Sequence, residues 1–333
     1  MIEIRAGNPP VSATDAGAAR EMWSIVLHSL TAVLMYVTPF ALFVPAVYIH
    51  AALRRRQRAA VLSVIGSAAM LIGAFAFGSG GAVKTDQIAM VARLVLEIGI
   101  PSLVASLLIE RAVKFGTILI AATGTSAAGI VVGELLMRAL YSYSPYDALI
   151  ANFRQASTGT IELWRSAGMA SESLTAMAQF STAIAGGYMQ SLVISISIFT
   201  FVFSLIMIPR LRAGRITGPT YLFRSLALPD WVLLLFVVSG LSPLAHGVLR
   251  TVGFNVLTVV AVLYSLQGLA VFRMLLVRSG AGLLASSALW LALIVFCIAG
   301  VGFFVLFAGG LFDSFFDFRH LNRKEVSDES NSD

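Results

Sequence analysis

Three ionisable side chains sit inside apolar runs of this chain and stand within 42 positions of one another: Arg93, Glu97 and Glu134. A charge at membrane depth costs about 2.5–3.5 kcal/mol on insertion scales, so such a group normally faces protein or water and has a partner. An arginine with two carboxylates can hold a polar solute, fix helix register as a buried ion pair, or pass a proton through Glu97. Arg93–Glu97 and Glu134–Arg138 are also spaced i,i+4 and can close within one helix. At about 1.5 Å per residue, Arg93 lies about 8 Å and Glu134 about 9 Å from the outer ends of their antiparallel runs, so they share a depth and can pair. Gln267 and Asn255 are polar groups in a later apolar run. Gln267 joins the candidate ligand-binding set, although an interhelical hydrogen bond worth about 0.6 kcal/mol is the plainer reading of both.

These residues imply a scaffold that crosses a membrane. The 333-residue chain is 58% hydrophobic and only 12% charged, with a mean hydropathy of +0.88. Soluble domains are about a quarter charged, and runs near 20 apolar residues are long enough to cross a hydrocarbon core of about 30 Å. The expected fold is an all-α, polytopic transmembrane helix bundle of about eight spans with an amphipathic extracytoplasmic insertion. A polar tail occupies residues 1–21, helices 1–4 residues 22–140, the interfacial insertion residues 141–187, helices 5–8 residues 188–312, and an interfacial cap with an acidic tail residues 313–333.

Within that frame, Pro39 and Pro45 interrupt the first run, which is either one kinked span or a helix plus a half-helix. Pro101 is expected to kink the third. Gly129 and Gly133 form a G-x-x-x-G pair in the fourth, a pattern that allows close helix approach. The insertion carries Tyr141, Tyr143, Trp164 and a helical spacing of apolar residues (Leu149, Ile150, Phe153, then Leu174, Met177, Ala178), which suits the membrane interface or a lid. The eighth run, 281–311, is long for one span and is expected to tilt. Asp313, Asp317 and Arg319 are expected to form an interfacial cap where it ends.

The net charge of +6 does not point to nucleic acid, because Lys and Arg gather beside the ends of apolar runs. Alternate loops hold 12 basic residues against 5 in the other set, so the first set is expected to be cytoplasmic. Cys297, alone, excludes an intramolecular disulfide and a multi-cysteine metal site. The four histidines show no metal-ligand spacing. No nucleotide loop, His-Glu-x-x-His or Ser–His–Asp pattern stands out, so no catalytic residue, cofactor or metal is assigned and the chain is read as a non-enzyme.

Three stretches resemble the YybS-like membrane proteins of bacteria: Phe223-Arg-Ser-Leu-Ala-Leu228-Pro229-Asp-Trp231, Tyr264-Ser-Leu-Gln267-Gly268-Leu-Ala270, and Gly310-Leu-Phe-Asp313-Ser-Phe-Phe316-Asp317-Phe-Arg319. The resemblance implies a multi-pass protein of the bacterial inner membrane. It also implies a distant relation to the substrate-binding subunits of energy-coupling-factor transporters. Those subunits dock to an energising module through an A-x-x-x-A pair in the first helix. Ala32, Ala41, Ala46 and Ala51 depart from that pattern. The expected partners are the lipid bilayer, an energising transporter module or other membrane proteins. The expected function is binding or transport of a small solute through a polar site between helices; the alternative is a scaffold or assembly factor.

Overall fold

Proline and glycine decide where the helices of this chain stop. The computed structural model describes residues 13–55, 57–211, 223–298, 300–316 and 318. Among them are thirteen α-helices and no strand. They are α1 (Ala13–Tyr36), α2 (Val44–Arg55), α3 (Gln57–Gly78), α4 (Thr85–Arg93), α5 (Ile100–Glu110), α6 (Phe115–Tyr141), α7 (Pro145–Ser166), α8 (Ser171–Ala183), α9 (Met189–Leu211), α10 (Trp231–Gly240), α11 (Gly247–Arg278), α12 (Leu283–Ile298) and α13 (Val301–Phe316). π-helical turns, Leu94–Gly99 and Ile184–Tyr188, join α4 to α5 and α8 to α9. The all-α bundle expected from composition is the architecture observed.

Among the described residues, five helices are long and apolar enough to cross a membrane, six if the bent pair α12–α13 counts as one span. Eight runs were expected, and three places account for the difference. The first run breaks: a 3₁₀ turn at Pro39–Phe43 separates α1 from α2, so the helix-plus-half-helix reading holds. The sixth run is a half-helix. α10 has ten residues, about 15 Å of rise against a core of about 30 Å. A 3₁₀ turn at Ser242–Leu244 and Gly247, at φ +59°, then turn the chain into α11 earlier than expected. The eighth run is not one tilted span. α12 and α13 meet at 109° at Gly300, whose φ of +80° only glycine adopts without strain.

Half-helix α2 lies at the centre. Tyr48 and Ile49 are fully buried, and Ala51 and Ala52 nearly so. On one side Tyr48 packs with Ala32, Val64, Leu71 and Leu94; on the other Ile49 packs with Ile109, Ile118, Ile198 and Phe201. Water drives little packing inside a bilayer, so small residues and polar ties do more of the work. Between α1 and α3, Ser29 Oγ donates to the Ser63 carbonyl (3.1 Å) and Ser67 Oγ donates to the Ser29 carbonyl (3.2 Å). Between α11 and α13 the backbones touch: a Cβ on Gly268 would overlap the Leu306 carbonyl, and one on Gly310 would overlap that of Tyr264.

The insertion is helical, as its periodicity suggested. α7 buries none of its residues. α8 runs through the π turn into α9 as one 37-residue rod, Ser171–Met207, about 55 Å long. A rod of that length outreaches the hydrocarbon core by about 25 Å. The expected polar tail is shorter than residues 1–21, because α1 already begins at Ala13; residues 1–12, residues 212–222, Asp317, Arg319 and the acidic tail lie outside the described residues.

Candidate functional site

Pro101 has no N–H, so the carbonyl of Glu97, four residues earlier, loses its helical partner. The chain responds with the π turn Leu94–Gly99. From α6, Ser126 Oγ donates to the freed Glu97 carbonyl at 2.8 Å. Gly129 sits against the turn so closely that a Cβ would overlap the Leu96 carbonyl; Gly133 is in ordinary contact with the Leu96 side chain. The G-x-x-x-G pair is therefore a packing device, with Gly129 as its critical member. π turns concentrate at functional sites because they redirect side chains out of helical register.

Around this turn lies a pocket of about 150 Å³. Arg93 and Glu97 line it from one span, Glu134 and Met137 from α6, Pro145, Tyr146 and Leu149 from α7, and Gln190 and Ile194 from α9. The three charged residues singled out in the sequence thus share one cavity. Of the pairings the spacing allows, the two within single helices are the ones formed. Arg93 Nε is 3.5 Å from Glu97 Oε1, on its own helix, and has no hydrogen-bond partner. Glu134 pairs with Arg138, not with Arg93: its Oε1 accepts from Arg138 Nε at 2.5 Å and from Ser144 Oγ at 2.6 Å. Its Oε2 accepts from the Tyr146 backbone N–H at 2.9 Å. Helical spacing wins because it brings each carboxylate within reach of an arginine one turn away.

Glu134 is therefore a fastening. It places a negative charge on the first turn of α7, where unpaired N–H groups and the helix dipole favour an anion. Ser144 caps the same turn by accepting from the Asp147 N–H at 3.0 Å. Tyr146 is thereby held as one wall of the pocket. Burial and the nearby Asp147 and Glu134 carboxylates push its phenol above the ordinary tyrosine range, so it stays a neutral donor. The charged group left with a donor that makes no hydrogen bond is Arg93, at Nε.

Gln267 lies elsewhere. Its Oε1 accepts from the Leu228 N–H (2.9 Å), and its Nε2 donates to Asp313 Oδ2 (2.9 Å). The three family-like stretches, far apart in sequence, meet at this one buried side chain. It ties α11 and α13 to the segment before α10 and does not line the Arg93 pocket.

Two features escaped the sequence reading. His28 and His50, 22 positions apart, are joined: His28 Nδ1 donates to the Ser24 carbonyl (2.6 Å), which leaves Nε2 to accept from His50 Nδ1 at 3.2 Å. This ties α1 to α2; no group of three metal-ligating side chains exists among the described residues. A second cavity of about 900 Å³ adjoins the first, between α6, α9, α10 and α11. Ala127, Val131, Gln190 and Ile194 line both. Neither follows from spacing, because each depends on how broken helices fold back.

A family model described as "Predicted membrane protein (DUF2232)" matches residues 24–314. No curated protein matches the chain. No solved structure matches it either.

Proposed function

We propose, from the premise that this chain belongs to the DUF2232 family of membrane proteins, that it binds a small solute whose polar end sits in the Arg93 pocket. One observation carries the reading. Two successive spans and the roof helix α7 converge on a partly open pocket in which the Arg93 guanidinium keeps Nε without a hydrogen-bond partner. An unpaired donor at that depth is costly, and an acceptor oxygen on a ligand removes the cost. The surrounding helices are broken or π-turned, which is how transporters form sites near the middle of a bilayer. The positive-inside bias puts the Arg54–Arg58 and Arg111–Lys114 turns in the cytoplasm and the pocket toward the opposite face. A bacterial inner membrane and an energising partner module belong to the same proposal.

A thermal-shift screen of the purified protein against small carboxylates, amino acids and vitamins tests it. A solute that raises the melting temperature of the wild type and not of Arg93→Met supports the reading; a solute that raises both equally removes Arg93 from the site.

A second reading, a scaffold without a solute, is favoured by the α7–α8 hairpin, which presents Leu163, Trp164 and Phe180 exposed. Co-purification in mild detergent separates the two. A stoichiometric membrane partner, lost when Trp164 is changed to Ser and accompanied by no solute effect, favours the scaffold. An ATPase-containing partner favours transport.

A further inference from the structure

The Arg93 pocket is small. About 150 Å³ falls below the range of about 300–1,000 Å³ typical of sites for drug-sized ligands, whereas the adjoining cavity of about 900 Å³ lies within it. The large cavity exists because α10 is a half-helix: it leaves the flank of the longer α11 uncovered toward α6 and α9. Its walls are chiefly apolar, with Ile120, Leu235, Val252 and Val259 among them. Gly124, in its wall, would place a Cβ with nothing within 4 Å, so the space beside it is open. Ala127, Val131 and Ile194 form the seam to the Arg93 pocket, and Gln190 stands exposed there.

We infer that the larger cavity holds the apolar body of a single-chain amphiphile whose hydrogen-bond-accepting head group crosses the seam to Arg93. The placement of the head rests on the function proposed above; the placement of the chain does not. A long unbranched chain fits an apolar space bounded by helices on three sides and by a half-helix on the fourth. The Arg93 guanidinium, whose Nε makes no hydrogen bond, selects an acceptor head, either a carboxylate or a hydroxyl.

Palmitic acid and hexadecanol, both tritiated, probe the two head groups on the protein in phosphatidylcholine nanodiscs, with empty nanodiscs as the partition blank. Saturable binding above the blank is expected. Gly124→Leu fills the cavity without meeting a neighbour, and Leu235→Phe fills it from the opposite wall. Each is expected to weaken binding of both probes about tenfold or more with the melting temperature unchanged. Gly73→Leu, a filled glycine on α3 away from the cavity, is the control and is expected to bind as wild type. Arg93→Met is expected to weaken palmitic acid more than hexadecanol. If both cavity-filling variants bind as wild type, or no binding exceeds the blank, the cavity holds bulk lipid only and the inference is overturned. If the fillers weaken binding and Arg93→Met changes neither probe, the chain site stands and the head-group reading falls.

Discussion

Asn255 on α11 replaces a backbone hydrogen bond missing from the α8–α9 rod: its Nδ2 donates to the Gly187 carbonyl at 2.7 Å, and its Oδ1 accepts from the Ser191 N–H at 3.0 Å. Gly187 and Ser191 are four residues apart and would bond to each other in a regular helix. The inserted amide holds the ladder open at the second π turn, beside both cavities. An average interhelical hydrogen bond in a membrane is worth about 0.6 kcal/mol. Here two backbone groups, the buried Ser191 N–H and the half-buried Gly187 carbonyl, lose their partners together, and a buried orphan costs about 1–3 kcal/mol. Asn255→Leu is therefore expected to lower stability by more than 1.5 kcal/mol (about) in reversible unfolding in mixed micelles. A loss near the average value means that the helix recloses its own bond.

Gly309 and Gly310 are neighbours on α13 with opposite surroundings. A Cβ at Gly309 meets nothing within 4 Å; one at Gly310 overlaps the Tyr264 carbonyl. Gly309→Ala is expected to be neutral or to stabilise by about 0.5–1 kcal/mol, the ordinary gain of alanine over glycine in a helix. Gly310→Ala must push α13 off α11, and its folded yield is expected to fall sharply. Equal melting temperatures for the two variants would mean that these helices do not touch at this point.

Coupling between charged residues follows the helices. Arg93 and Glu97 form an ion pair, and Glu134 is held by Arg138, Ser144 and Tyr146. Removing one member of a buried pair costs about 3–5 kcal/mol, and removing both can be neutral; the partial exposure of Arg93 and Glu97 places this pair below that range. Glu97→Leu is expected to rescue part of the yield lost in Arg93→Leu. Glu134→Leu is expected to give no rescue, so its effect adds to that of Arg93→Leu. Melting temperatures of the three single and two double variants decide between the pairings.

Glu134 also holds the roof. Glu134→Ala removes the acceptor of the Ser144 hydroxyl and the Tyr146 N–H, bonds to a charged group worth about 1.5–3 kcal/mol each. Hydrogen exchange in the first turns of α7 is expected to accelerate while α6 stays protected. Unchanged exchange across residues 145–150 would show that α7 is held by other contacts.

The all-helical class was legible in the sequence, and the charged residues singled out there, Arg93, Glu97 and Glu134, line one cavity, since a few charges in long apolar runs leave few places to go. So was the close approach at Gly129. The span count was not. Within an apolar run, a crossing and a half-helix have the same composition, and only short features such as Ser242–Leu244 or a positive φ at Gly300 separate them. The role of Glu134 was hidden because its partners, Ser144 and Tyr146, lie across a turn whose geometry depends on Ser142 at φ +50°. Asn255 and Gln267 form the interhelical hydrogen bonds their residue types suggested, but the partners of Asn255 and one of the two partners of Gln267 are backbone groups, which carry no sequence signal.

The central claim is that a ligand's polar end reaches Arg93. Equilibrium dialysis of the solute or amphiphile that stabilises the wild type, run on wild type, Arg93→Met and the α7 surface control Arg154→Met, tests it most directly. The account predicts saturable binding to wild type and Arg154→Met, with affinity lowered about tenfold or more in Arg93→Met, the loss expected when a charged donor loses its acceptor. Equal affinity in all three proteins would contradict it.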